Sequence, residues 1–143
     1  MIDVFIEVSK GSDRKSKYDE NTFEFIKSVE MLRPYPYPYG FIIGSKGDDE
    51  EAVDAFIITE KRLKPGSKVQ CEPVGILEMF EGDEHDHKVL AVLPGENVSL
   101  DSGVHEKLKD FIYAIFTRFP EIQVRVGEIL PKEAALDHLE KNS

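Results

Sequence analysis

Residues Gly44–Thr59 read G-S-K-G-D-D-E-E-A-V-D-A-F-I-I-T, an acidic turn that runs straight into an apolar strand. Asp48, Asp49, Glu50 and Glu51 stand in a row, and Asp54 then leads into Ala55–Ile58, whose length and composition predict a buried strand. Carboxylates crowded at the mouth of a buried strand repel one another and cost folding energy unless a cation neutralises them. Mg2+ suits that task, because it binds carboxylates and waters in an octahedral oxygen shell. An acid run on its own is more often a solvated turn. Here a second acidic turn, Glu81 to Asp86, again precedes an apolar strand, Lys88–Leu93. Two such turns in one small domain point to a divalent-metal site between them.

Outward from this pair, the chain fits a single domain over residues 1–143, large enough to bury its own core. The formal net charge of −10 argues against nucleic acid or an anionic membrane as partner. It would also repel a phosphate substrate, so any phosphate chemistry must gather metal and lysines locally. No segment reaches transmembrane length, and M-I-D-V-F-I-E-V at the start reads as strand rather than signal peptide. The single cysteine, Cys71, has no internal partner for a disulfide, which suits a reducing cytoplasm.

Upstream of the central stretch, Val4, Ile6 and Val8 alternate with Asp3, Phe5 and Glu7, the period of a strand. Glu7 falls opposite the Val/Ile stripe, facing either solvent or a site. Lys15 and Lys17 are two apart and share a face of any strand between the turns around Gly11 and Asn21. A strand is expected over Phe23–Lys27. The run L-R-P-Y-P-Y-P-Y-G excludes helix and holds the chain extended. Its tyrosines at 35, 37 and 39 are expected to alternate sides and to line a wall with rings and phenol donors, before a strand at Phe41–Ile43. A polyproline-type docking ligand is the alternative for this run.

Downstream, Lys68–Val74 and Gly75–Phe80 read as two strands, and Asp86 and Lys88 share a face two residues apart. This sets a carboxylate suited to metal beside an ammonium suited to phosphate. His85 and His87 form an H-x-H pair without a third zinc ligand, so surface histidines are expected. Neither acidic turn has EF-hand spacing. Leu108, Phe111, Ile112, Ile115, Phe116 and Phe119 form one apolar helical stripe, read as core, with Asp101-Ser102 as N-cap and Pro120 as stop. A short strand at Ile122–Val126 and a helix from Pro131 to about Leu139 complete the chain. Strands first, helices last, predict an α+β fold: a small antiparallel β-barrel with two flanking α-helices.

Six motifs in order (I-E-V at Ile6, K-x-K-Y-D at Lys15, P-Y-x-Y-G-F at Pro36, D-x-E-x-x-D-A at Asp49, G-I-L-E-M at Gly75 and D-H-K-V-L-A-V at Asp86) resemble the soluble family I inorganic pyrophosphatases. The match is good over Val4–Pro94 and rests on helix pattern alone beyond. The resemblance implies an OB-like five-stranded barrel with flanking helices, hydrolysis of pyrophosphate with Mg2+ (or Mn2+), a cytoplasmic location and a homo-oligomer. It places metal ligands at Asp49, Asp54, Asp86, Glu81 and Glu7, phosphate-binding groups at Lys15, Lys27, Tyr39 and Lys88, and the catalytic base at Glu51. The chain also departs from the family pattern. Glu51 and Glu81 replace aspartates, Lys27 replaces an arginine and so loses its bidentate fork, Lys17 replaces a glutamate, and Phe119-Pro120 replaces a Tyr-Lys pair that holds the leaving phosphate. The chain is also shorter than typical members. Two functions follow from this: an Mg2+-dependent hydrolase of pyrophosphate or a similar small phosphoanhydride, or a catalytically weak relative that binds metal, phosphate or a partner. An OB-like oligonucleotide binder is disfavoured by the charge.

Overall fold

A computed structural model describes residues 1–47 and 50–143. Strands β1 (Ile2–Val8), β4 (Tyr39–Ile42), β5 (Asp54–Ile57), β8 (Lys88–Val92) and β6 (Lys68–Glu81) are hydrogen-bonded in that order, and β6 returns to pair with β1. The expected barrel is this closed ring. The antiparallel expectation holds at every pairing of the ring but one, since β5 and β8 run parallel. A parallel neighbour requires a long connection, and here that connection contains all of β6. Strand β9 (Val124–Pro131) and the short β7 (Glu84–His85) pair with β6 outside the ring.

The period of two along each strand separates two apolar clusters. Val4, Ile6, Ala55, Ile57, Cys71, Val89 and Ala91 fill one, inside the ring. Phe56, Ile58, Leu77, Met79 and Leu90 point the other way and meet Leu108, Phe111 and Ile112 of helix α1 (Ser102–Phe116). Helix α2 (Lys132–Lys141) packs on β6, and its Leu139 reaches the first cluster. Cys71 is buried with no disulfide, and burial pushes its thiol up to about 12. Asp101 caps α1 by accepting from the Val104 N–H at 3.1 Å.

Three local expectations change. Lys68–Glu81 is one strand with an irregularity between Pro73 and Gly75, not two strands. A bulge tolerates a proline that cannot donate and a glycine that lets neighbours approach. The strand expected from Phe23 begins at Phe25, as β3 (Phe25–Glu30), paired with β2 (Arg14–Tyr18). Phe23 itself sits in the turn at φ +63°, its ring stacked on Phe5 and Phe41. Lastly, β9 runs to Pro131 rather than ending at Val126, and α2 starts directly after it.

Candidate active site

The strand period that sends Phe56 and Leu90 toward α1 sends Asp54 and Lys88 the same way, one residue pair nearer the strand starts. Tyr39, the first residue of β4, joins them. The Tyr39 hydroxyl donates to Asp54 Oδ2 at 2.6 Å. Lys88 Nζ donates to the same oxygen at 2.8 Å and to both oxygens of Asp86 at 3.0 Å. Lys88 is only 5% exposed. Burial alone would discharge it, but Asp54 and then Asp86, with their hydrogen bonds, hold its pKa above the usual ammonium value. Burial likewise works against the Asp54 carboxylate, and the charges of Lys88 and Lys15 with the two hydrogen bonds outweigh it, so the group stays below its ordinary pKa. Burial and the neighbouring Asp54 push the Tyr39 phenol upward, which keeps it a proton donor.

These side chains line a cavity of about 430 Å³. Lys15, from β2, stands with its ammonium 5.2 Å from the centre of the Tyr39 ring. Glu51, in the loop before β5, and Glu81, at the end of β6, also face the cavity. Burial, with a hydrogen bond and charge from Asp86, raises Glu81 to about 7. Glu84 is a lining residue that the sequence did not single out, although it lies within the second acidic run. Among the described residues, five carboxylates against two lysines therefore face one space, and its local charge needs cations.

Glu7 does not line the cavity. It is buried behind it, 6% exposed, and burial raises it to about 7 against the pull of Lys15. The solvent-facing alternative for Glu7 is thus excluded. Lys27 is exposed on β3 opposite Lys17, on the hairpin face that also carries Lys15, and is not among the cavity's lining residues. The structure brings Lys15, Tyr39, Glu51, Asp54, Glu81, Asp86 and Lys88 together, and leaves Lys27 outside. Asp49 lies outside the described residues.

The far side of the cavity corrects another expectation. Of the helical stripe read as core, Leu108, Phe111 and Ile112 are buried, but Phe119 is 43% exposed. Phe111, Ile115, Phe116 and Phe119 instead form one wall of the cavity, joined by Met31. The Tyr/Pro run does supply an aromatic wall. Tyr35, Tyr37 and Tyr39 are all buried in the cluster under α1, with Tyr35 and Tyr39 on this cavity and Tyr37 on a separate one.

The donor chemistry fits Mg2+. Every candidate ligand is a carboxylate, and Asp54 and Asp86 already converge on one positive charge, that of Lys88. Among the described residues no three metal-ligating side chains are gathered around one point; the Lys88 ammonium stands between the two aspartates. His85 is exposed, and His87 accepts from the Met79 N–H through Nδ1 at 3.0 Å, so neither is arranged as a ligand. Among the described residues no helix is long and apolar enough to cross a membrane.

The sequence model of the family described as "Inorganic pyrophosphatase" matches residues 4–141. A protein of that name from Nanoarchaeum equitans is 34% identical, over 92% of this chain and 88% of its own. One from Synechocystis is 31% identical, over 91% and 80%. Among solved structures, an inorganic pyrophosphatase from Helicobacter pylori superposes with a TM-score of 0.88 at 28% identity, covering 98% of this chain and 89% of that one. One from Coxiella burnetii gives the same TM-score at 25% identity, over 98% and 91%.

Proposed function

The chain belongs to the inorganic pyrophosphatase family of hydrolases, and from that premise we propose that it hydrolyses pyrophosphate to two phosphates with Mg2+ as cofactor, in the cytoplasm and as a homo-oligomer. The observation that carries the reading is the cluster of Tyr39, Asp54, Asp86 and Lys88, tied within 3.0 Å through Lys88 and the Tyr39–Asp54 bond and lining the acidic cavity.

Asp54, Asp86 and Glu81 would hold the metal with Asp49, while Glu7, which does not line the cavity, would act on the set only through its charge near Asp54. Mg2+ supplies positive charge to the phosphate oxygens and acidifies water. The remaining roles belong to the chain. Lys15 offers an ammonium donor to one phosphate, and Lys88 and the Tyr39 phenol, kept protonated by burial, would join it with donors that here bond Asp54 and Asp86. Glu51, at the cavity's edge, takes the proton from the attacking water as its oxygen bonds to phosphorus and the bridging oxygen leaves with the second phosphate. Lys27 and Lys17 add positive charge on the hairpin face beside Lys15 and draw the anionic substrate inward, against the net charge of −10.

The test is phosphate release from pyrophosphate with and without Mg2+, beside an Asp54→Asn control. Release should require metal and fall by about a hundredfold or more in the variant, and Glu51→Gln should lose on the order of 10²–10⁴ in kcat. Release that is indifferent to both metal and Asp54, or absent altogether, would overturn the hydrolytic reading and leave a binding protein.

A further inference from the structure

Among the described residues, the acidic and basic groups of the cavity come from the barrel strands, the acidic turns beside them and the β2–β3 hairpin, and the opposite wall is built differently. Met31, Phe111, Ile115, Phe116 and Phe119 offer no side-chain donor to an anion. Phe119 is 43% exposed and continues the apolar wall outward from Phe116 to the rim. The wall is held in place. The Phe119 N–H donates to the Phe116 carbonyl at 2.9 Å, and the two rings meet edge to face at 6.4 Å. Arg118, the nearest cation in the chain, turns its guanidinium to the Glu30 carbonyl at 2.9 Å and is not among the cavity's lining residues. A phosphate pressed against this wall would lose water and gain no donor, which is unfavourable. An apolar group would gain by the same burial.

Resting on the hydrolytic reading above, we propose that the site also takes organic diphosphates, in which the phosphate facing α1 is esterified by a short apolar group that lies on Met31, Phe116 and Phe119. A cavity of about 430 Å³ is in the range that holds a ligand larger than bare pyrophosphate. The apolar surface begins at the polar cluster itself. Phe111 packs on Tyr35 at 4.4 Å between ring centres, and Tyr35 on Tyr39 at 5.4 Å. The wall of Met31, Phe111, Ile115, Phe116 and Phe119 carries no polar side chain to match a sugar, so an ester group lying on it is alkyl, alkenyl or aryl rather than a nucleoside. In the reaction, water oxygen bonds to the terminal phosphorus and the bond from that phosphorus to the bridging oxygen breaks. Inorganic phosphate and the monoester R–O–PO₃²⁻ are released, and the water proton passes to the carboxylate base.

The test separates binding from turnover. Methylene-bridged bisphosphonate, its mono-isopentenyl ester and α,β-methylene-ADP are titrated calorimetrically into the protein with Mg2+, in parallel with phosphate release from pyrophosphate and isopentenyl diphosphate. The isopentenyl ester should bind about tenfold more tightly than the bare bisphosphonate. Phe119→Lys should abolish or reverse that preference, while Phe119→Leu should retain it. Equal or weaker binding of the isopentenyl ester, a preference untouched by Phe119→Lys, or tighter binding of the ADP analogue overturns the proposal even where pyrophosphate is hydrolysed. Tight, Phe119-dependent binding of the ester without turnover of either substrate upholds the apolar subsite and removes the hydrolytic reading alone.

Discussion

Lys88 and Glu7 are both almost fully enclosed, at 5% and 6% exposure, yet their surroundings treat charge in opposite ways. Lys88 is matched by two carboxylates and stays charged. Glu7 has Lys15 and Lys17 nearby, but burial and the repulsion of Asp54 prevail and lift its carboxyl from 4.5 to about 7. The consequence for metal-free protein has a definite sign. A carboxyl raised on folding contributes its stability below pH 4.5, where it is protonated in both states, and loses it as pH rises through 7. Glu7→Gln removes that penalty. Wild type and variant should unfold at similar urea concentrations near pH 4, and at about pH 8 the variant should be more stable by about 3 kcal/mol. Equal stability at pH 8 would mean that Glu7 carries its charge without cost. The strand period was enough to set Glu7 opposite Val4 and Ile6, but an irregularity between Ile6 and Val8 turns Val8 out of that stripe into the cluster under α1. Its burial was not readable there, because the hairpin that covers it lies further along the chain and no local pattern says where it folds back. The pairing of Lys88 with Asp86 was readable, since two residues of one strand face share a side.

At the scale of the element, the strand β4 decides where Tyr39 stands. Its neighbour Gly40 pairs with Ile6 of β1 and with Ala55 of β5. A Cβ at Gly40 would overlap the Phe5 carbonyl, a backbone atom that cannot rotate away. Glycine here permits close strand approach, not a special backbone angle. Gly40→Ala should therefore part β1 from β4 and cost about 3 kcal/mol. The thermal midpoint should fall by about 10 °C, and Tyr39 should lose its bond to Asp54 along with the register. A midpoint within a degree or two of wild type would show that the strands yield freely at this point. Sequence patterns located nearly every element, and the misses have physical causes. Pro73 and Gly75 look like a break because each weakens a regular ladder, yet a bulge accommodates both within one strand. Phe119 looks like core because it continues the α1 stripe, but the helix ends at Phe116 and the turn to Pro120 carries the ring out to the cavity rim.

At the scale of the whole molecule, the ring closes only because β6 pairs with both β8 and β1, and residues more than sixty positions apart meet there. The strand-rich pattern predicts a barrel, but no periodicity in the chain records which strands close it, so the β1–β6 pairing and the parallel β5–β8 contact came from the fold itself. The closed ring also brings Glu51 and Asp54 to one cavity with Glu81, Glu84 and Asp86, in a chain whose formal net charge is already −10. The folded state therefore concentrates negative charge that the unfolded chain spreads out, and a cation bound only by the folded state must stabilise it by mass action. Mg2+ added to metal-free protein at a hundred times its dissociation constant should add about 2.7 kcal/mol, which is on the order of 8 °C in the thermal midpoint for a domain of this size. General screening of the −10 charge would also stabilise, so the comparison must be made against Na+ at equal ionic strength. Asp54→Asn distinguishes the two effects. If the acidic turns form a Mg2+ site, the variant keeps the Na+ response and loses the extra Mg2+ increment. If Mg2+ and Na+ act alike in the wild type, the carboxylates are held apart by Lys88 and solvent, and the case for a metal-dependent reaction at this cavity fails with them.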